Sequence, residues 1–334
     1  MGLRNLKLLI VVLLGALGLA APASALAGQA SFAIKPLRFD PTVPATRSYF
    51  ILRLRPGRTL SSRFVVSNVG TGLGTAFLYP VDATTGQTSG AVYLSRTSPR
   101  RDVGGWITLG ESRVRLAPKE QRVVSFTVRV PARGLRPGDH LGGIVVENAR
   151  LTTGRRTGPL RINIRHLTID AVEVQLPGRG VRAVTIGGVT AGGRNGYQRV
   201  FVRLDNAGTK MLKPFGKLVI SDSRGRHVAA RTFRLDTFLP QTHIDYPVLL
   251  PGQVLSPGSY RATVTLTFAN RTISRTFPLG VTRNEYRQVF AGAAPVRASS
   301  SSRHGMLVLF PWLVAALAVA LAALAFTYRR RLHP

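Results

Sequence analysis

The chain has 334 residues, no cysteine and a net charge of +32, from 46 basic and 14 acidic residues. The absence of cysteine excludes disulfides, thiolate metal sites and cysteine nucleophiles. The positive charge favours anionic partners, because a field of that sign speeds their encounter with the protein. The heavy use of arginine over lysine also fits a genome of biased base composition, so both interpretations stay open.

Residues 1–27 are predicted to be a secretory signal peptide. A basic start is followed by an apolar core over 8–20, and small residues permit cleavage at Ala25 or at Ala27. Cleavage near Ala27 is preferred. The alternative is an uncleaved first membrane helix.

A first β-sandwich is expected over 28–150, where short apolar runs alternate with turn residues. The clearest strand has Val124 and Phe126 on one face and Ser125 and Thr127 on the other. This alternation predicts one buried and one wet side. The other predicted strands are 49–54, 62–67, 75–81, 91–95, 113–116 and 141–147.

A second β-sandwich is expected over 161–285. The polar residues 149–160 are interpreted as a loop between the domains, with a long hairpin inside the first domain as the alternative. The apolar alternation changes phase near Arg165-His166, which indicates a β-bulge or the domain junction.

The two halves repeat a common layout. Asn68 and Asn206 each follow an alternating strand and begin an Asn-X-Gly turn, and Pro137-Gly138 and Pro257-Gly258 each precede a last long strand. The expected fold is therefore all-β: two tandem immunoglobulin-like sandwiches, plus one C-terminal transmembrane helix.

The C-terminal part predicts a membrane anchor. Residues 286–305 are rich in Ala, Gly and Ser and are expected to be a flexible stalk. The uncharged segment 306–327 is long enough to cross a bilayer. The arginines of the tail, 328–334, mark the cytoplasmic end. The predicted location is the cell membrane, with a single span and both β domains outside the cytoplasm.

No catalytic motif is recognisable. The chain has no HExxH and no GxSxG sequence. Asp139, before His140, follows Pro-Gly and is expected to be a turn residue; Asp82, Asp102 and Glu111 are expected to be solvated loop carboxylates. We therefore predict a protein that is not an enzyme and has no cofactor and no metal site.

The candidate binding residues are aromatic and basic side chains of the first domain, because arginine matches phosphate and carboxylate groups with paired hydrogen bonds. They are Tyr93, Trp106, Arg63, Arg113, Arg115 and Arg129. The alternative is that each arginine is a solvated strand residue. Export and anchoring argue against nucleic acid as a partner, and favour anionic wall polymers or lipid head groups.

An ordered set of short motifs runs through residues 31–147. They are Ser48-Tyr49-Phe50, Leu54-Arg55-Pro56-Gly57, Phe64-Val65-Val66-Ser67-Asn68, Asp82-Ala83-Thr84-Thr85-Gly86, Ala91-Val92-Tyr93, Leu116-Ala117-Pro118, Pro137-Gly138 and Leu141-Gly142-Gly143-Ile144. In this order they resemble the peptidoglycan-binding N-terminal domain of the WxL-interacting protein family. The resemblance implies that the first domain binds peptidoglycan and that the second binds a surface protein.

The leading hypothesis from the sequence is thus a non-enzymatic, membrane-anchored envelope protein that binds peptidoglycan, with a surface protein as a second partner. The alternative is an accessory or chaperone-like subunit of a membrane transport or assembly complex, which would use an exposed strand edge.

Overall fold

The computed structural model of this protein describes residues 28–153, 162–252 and 254–290. In these ranges the chain forms two β-sandwiches, one after the other. The predicted signal peptide, transmembrane segment and tail lie outside the described residues, and so does the stalk from residue 291 onward. Among the helices that are described, none is long and apolar enough to cross a membrane.

The first sandwich has a four-stranded sheet in the order β1-β3-β8-β6 and a second sheet in the order β2-β12-β9-β4-β5, with β7 also paired to β4. A small pair, β10-β11, extends the β9–β12 hairpin. The strands are β1 (Phe32–Pro36), β2 (Phe50–Arg53), β3 (Thr59–Asn68), β4 (Gly74–Thr85), β5 (Ala91–Tyr93), β6 (Ile107–Leu109), β7 (Arg113–Leu116), β8 (Gln121–Arg129), β9 (Gly138–Asn148), β10 (Thr152–Thr153), β11 (Asn163–Ile164) and β12 (Leu167–Leu176). The helices here are a 3-10 helix, Pro44–Arg47, and α1 (Val103–Trp106).

The core of the first sandwich is centred on Phe126 of β8. Its ring lies 4.9 Å from that of Phe50 and 6.0 Å from that of Phe64, measured between centroids. Val124 and Val128 are buried on the same side of β8, while Ser125 is exposed. The alternation seen in the sequence therefore gives one buried and one wet face, as predicted.

The first strand of this sandwich is split between its two sheets. β1 pairs antiparallel with β3 in one sheet. The chain then leaves through 37–49 and returns as β2, which pairs parallel with β12 in the other sheet. Because β2 is short, it covers only Val172 to Gln175 of β12.

The second sandwich has a three-stranded sheet, β13-β14-β17, and a four-stranded sheet, β16-β15-β18-β19. Leu204, Leu218 and Leu266 lie in its buried core. The strands are β13 (Thr185–Arg194), β14 (Tyr197–Asn206), β15 (Phe215–Ser221), β16 (His227–Arg234), β17 (Thr242–Leu249), β18 (Gly258–Phe268) and β19 (Arg271–Val281), and helix α2 (Arg283–Phe290) follows.

The correspondence between the halves extends to their hydrogen bonds. The side-chain amide of Asn68 accepts from Gly70 N and donates to Leu116 O, and that of Asn206 accepts from Gly208 N and donates to Phe238 O. Each buried asparagine thus closes its own turn and ties it to a distant segment. Both sandwiches are immunoglobulin-like.

The boundary expected at residue 161 is wrong, because β12 belongs to the first sandwich. β12 pairs with β9 along its whole length. β9 and β12 form a hairpin of the first sandwich, which was the alternative interpretation. The phase change at Arg165-His166 is the break between β11 and β12, and the link to the second sandwich follows Leu176.

The expected start of the stalk at 286 is also too early, because α2 runs to Phe290. Thr282 Oγ1 accepts from Glu285 N, and the Glu285 carboxylate accepts from Thr282 N. This reciprocal capping box starts the helix. Val289 is buried, and its carbonyl accepts from Gly196 N at 2.7 Å.

The burial of Phe126 predicts how much stability the first sandwich loses when this side chain is truncated. Phe126→Ala should destabilise this sandwich by about 3–5 kcal/mol, because it removes a buried ring and leaves a cavity. Val123→Ala, on the exposed face of the same strand, should change stability by less than about 0.5 kcal/mol. Urea denaturation of both variants measures the difference, and equal costs would contradict the assigned facing of β8.

Candidate functional site

The six candidate residues from the sequence do not share one surface. Arg63 and Arg129 project from the outer face of the β1-β3-β8-β6 sheet. Arg113 and Arg115 lie on β7, in the opposite sheet. Tyr93, on β5, is half-buried over β9 and β12.

Trp106, the other aromatic candidate, lies in the core. It is 6% exposed, and its ring packs against the His140 ring with centroids 5.0 Å apart. Asp82 holds the surrounding loop, because its carboxylate accepts from Asp102 N at 3.0 Å and from Gly104 N at 2.7 Å. Asp82 is therefore a buried structural carboxylate and not the solvated one expected from the sequence.

Asp139 joins the two sandwiches. Its carboxylate accepts from Lys210 Nζ at 2.6 Å and from Met211 N at 2.9 Å, while its backbone N donates to Thr209 O at 2.8 Å. Gly138 has a φ of 144°, and a Cβ there would lie 2.0 Å from Thr209 O. The close approach of the two domains therefore requires glycine at this position.

A second set of contacts fastens the β4–β5 hairpin to the second sandwich. Thr85 Oγ1 lies 2.7 Å from Thr242 Oγ1 and accepts from Leu239 N at 2.9 Å. Ser89 Oγ accepts from Asp236 N at 2.7 Å. The domains are thus held at two separate places.

A cavity of about 300 Å³ lies between these contacts. His140 borders it and hydrogen-bonds Asp102 at 2.8 Å. Burial alone would lower the pKa of His140, but the hydrogen bond and charge of Asp102 outweigh burial and raise it. The polar lining includes Arg101, Asp102, Arg136, His140, Gln241 and Thr242.

The most distinctive feature is the edge of β12 before β2 begins. Asn148 N donates to His166 O, and Leu54 N donates to Gln175 O. Because hydrogen-bonding direction alternates along a strand, the backbone groups of Leu167, Ile169 and Ala171 point away from β9. Within the described ranges, no strand pairs with β12 on that side over 167–171. We call this stretch, 167–171, the open edge.

Apolar side chains are exposed around the open edge. Leu167 is 49% exposed, and Ile162 and Ile164 beside it are 54% and 43% exposed. Leu151, on the opposite arm of the hairpin, is 47% exposed. A cluster of exposed aliphatic side chains next to unpaired backbone groups is typical of a surface that takes up another strand.

The outer face beside the open edge is charged and aromatic. Glu147, which pairs across from Leu167, is buried and accepts from Tyr79 Oη and from Arg165. Burial raises the pKa of Tyr79, and its hydrogen bond to Glu147 raises it further. Arg96 lies over the Tyr79 ring, 5.2 Å from its centroid. These contacts tie the base of the β9–β12 hairpin to Tyr79 of β4.

Asp170 lies within the open edge, and its side chain faces the core. It shares this side of β12 with Val172 and sits opposite Ile144 of β9. It is 2% exposed, and neither carboxylate oxygen has a hydrogen-bond partner among the described residues. Burial raises its pKa to about 7.

Neither a protein-family model nor a curated protein matches the chain, so the resemblance to WxL-interacting proteins stays a prediction. Among solved structures, the chain is similar to the class 5 fimbriae chaperone CfaA, with 13% identity, 74% of this chain and 99% of that chain covered, and a TM-score of 0.36. It is also similar to the E. coli chaperone DraB, with 13% identity, 75% and 95% covered, and a TM-score of 0.33. A third similar chain comes from a chaperone–tip adhesin complex of CFA/I fimbriae, with 12% identity, 74% and 98% covered, and a TM-score of 0.35.

The leading hypothesis from the sequence, a peptidoglycan-binding protein, is wrong. The aromatic and basic residues expected to contact a glycan lie on two opposite sheets, and Trp106 is in the core. The site that sequence reasoning missed is the open edge, whose exposed aliphatic residues were assigned to the wrong domain.

The buried carboxylate of Asp170 predicts a pH-dependent effect on stability. The native state keeps this proton up to about pH 7, while the unfolded state releases it near pH 3.8. Stability is therefore lost as the pH rises between these values, by about 4 kcal/mol in total. Asp170→Asn should remove that loss, so its stabilising effect should be near zero at about pH 4 and largest above about pH 7.

Urea denaturation across this pH range measures the effect as the difference between variant and parent. Asp245→Asn, which changes an exposed carboxylate on β17, is the matched control. A stabilisation by Asp170→Asn that does not vary with pH would show that the Asp170 carboxylate is not the titrating group.

The contact between Lys210 and Asp139 across the domain junction predicts that Lys210 contributes more to stability than Lys213 does. Lys210→Ala should cost about 1.5–3 kcal/mol, because it removes a hydrogen bond between charged groups at a largely buried carboxylate. Lys213→Ala breaks an exposed pair with Asp236 and should cost less than about 1 kcal/mol. Chemical denaturation gives the costs, and small-angle scattering should show the domains loosening only in Lys210→Ala.

Proposed function

We propose that this protein is a non-enzymatic, chaperone-like assembly subunit that captures an extended segment of another envelope protein. The captured segment would add as a strand beside the open edge. The observation that carries the proposal is the coincidence, over 167–171, of unpaired backbone groups with exposed Leu167 and its neighbours Ile162 and Ile164. This is the mode of recognition in which the main chain provides affinity and alternate side chains provide specificity.

The architecture suits capture because it leaves the edge open without loosening the sandwich. β9 supports the full length of β12 from one side. β2 closes the other side only over 172–175, next to the second sandwich. An added strand would therefore lie in line with β2 and continue its sheet outward along the hairpin.

We place this activity outside the cytoplasm. The proposal uses the signal-like sequence at 1–27 and the apolar segment 306–327 with its basic tail. A membrane-anchored subunit would hold a client segment close to the membrane face. The client is a protein, and the proposal requires no cofactor and no metal ion.

Strand addition predicts a specific pattern of hydrogen exchange. Short synthetic peptides that alternate apolar and polar residues are titrated into the full chain in detergent. A peptide that adds to the open edge should slow exchange of the amide protons of Leu167, Ile169 and Ala171, because these protons point towards it. Peptides that bind without protecting these amides would contradict the proposal.

Two changes at one position separate main-chain from side-chain recognition. Leu167→Pro removes an outward N–H at the first residue of β12, where proline breaks no bond to β9, and should weaken binding by about 0.5–1.5 kcal/mol. Leu167→Ser keeps that N–H but removes apolar surface, and should weaken binding by about 1–2 kcal/mol.

Leu249→Ser is the matched control for these variants, because Leu249 is a similarly exposed leucine on β17 of the other domain. Its peptide affinity should equal that of the parent chain. Titration calorimetry compares all three. Equal weakening by Leu249→Ser would locate binding elsewhere and exclude the open edge.

A further inference from the structure

Asp170 is a buried acidic residue to which the described residues supply no partner. Its carboxylate oxygens are inaccessible and make no hydrogen bond there. A buried carboxylate without a partner is unfavourable, and in proteins such groups are normally paired or hydrogen-bonded. Arg165, on the same hairpin, is already engaged by Glu147 on the outer face. Among the described residues, therefore, the Asp170 carboxylate is left available to a group from another segment.

Contacts to the two halves of the split first strand flank Asp170. On one side, Thr168 Oγ1 donates to Phe32 O of β1 at 2.8 Å. On the other side, Val172 pairs with Phe50 of β2. Asp170 lies between these two contacts. It faces the gap between β1, which pairs in one sheet, and β2, which pairs in the other. An added strand would pass this point.

We propose that the captured segment carries a lysine or arginine at the position beside Asp170, and that this ion pair selects the segment. The inference rests on the proposed strand capture. Residues directly opposite on neighbouring strands share a face, with Cβ atoms about 4.5–5.5 Å apart. A basic side chain at that position would face inward and reach the carboxylate of Asp170.

This pairing defines the chemistry of the client. Its inward residues are apolar, to match Val172 and the core around Ile144, except for one basic residue. A charge-assisted hydrogen bond in a site shielded from water is stronger than a neutral one. A client lacking the basic residue would bury the Asp170 carboxylate without a partner, so segments of merely similar hydrophobicity are rejected.

The test uses the full chain and sets of alternating synthetic peptides that are identical except at one inward position. That position carries lysine, norleucine or glutamate, and is moved along the peptide from set to set. In the best register, the lysine peptide should bind about tenfold more tightly than the norleucine peptide, and the glutamate peptide should bind least. In Asp170→Asn the lysine preference should fall below about twofold.

Glu173→Gln is the matched control, because Glu173 lies on the outward face of the same strand. It should keep the full lysine preference. Asp170→Leu removes the polar group altogether and should reverse the preference, so that the norleucine peptide binds more tightly than the lysine peptide. This second variant shows whether the result with Asp170→Asn is due to the loss of the carboxylate or to the asparagine side chain itself.

The two proposals fail in different ways. If peptides protect the amides of 167–171 but lysine and norleucine bind equally, or if Asp170→Asn keeps the preference, strand capture stands and the ion pair is wrong. If no peptide protects these amides in the parent chain, strand capture itself is wrong, and the ion pair falls with it.

Discussion

The constraint on which the rest of the structure depends is the splitting of the first strand between two sheets. A strand at the edge of a sheet leaves backbone N–H and C=O groups unpaired wherever no neighbouring strand covers it. Here β1 pairs with β3 in the other sheet, and β2 pairs with β12 only from Val172 onward, so that 167–171 is uncovered. The open edge, the exposed aliphatic residues of the hairpin and the position of Asp170 all follow from the crossing at 37–49.

The second sandwich holds the first in place. The contacts of Asp139 with the Thr209–Met211 segment lie at the start of β9, and Thr85 reaches Thr242 from the end of β4. Both β9 and β4 belong to the sheet that carries the open edge. The central strands of that sheet are therefore anchored at the domain junction, while the hairpin extends away from it. The open edge thus lies at the end of the sheet away from these contacts.

Local patterns predicted the strands and failed where the fold depends on which strands become neighbours. The alternation around Phe126 and the turns at Asn68 and Asn206 require only a few consecutive residues, and the structure bears them out. β12 was assigned to the wrong domain because a polar hairpin loop and an interdomain linker have the same composition.

Trp106 was expected at the surface, but the loop that buries it is held by Asp82, which is distant in sequence. The burial of Asp170 could have been predicted from the sequence, because Asp170 lies two residues before the buried Val172 and so faces the same side of the strand. Its significance depends on an unpaired edge that no sequence pattern reveals.

The pairing of β9 with β12 has a mechanical consequence. The two strands run antiparallel in unbroken register from Leu167 against Glu147 to Leu176 against Gly138. A segment lying along the open edge and pulled along its own axis would load this ladder in shear, so that its hydrogen bonds resist together and do not open one at a time. The load would pass down β9 to Asp139 and across to Lys210 of the second sandwich. Asp139, which helps to join the two domains, would then also carry the tension of the segment that the hairpin holds.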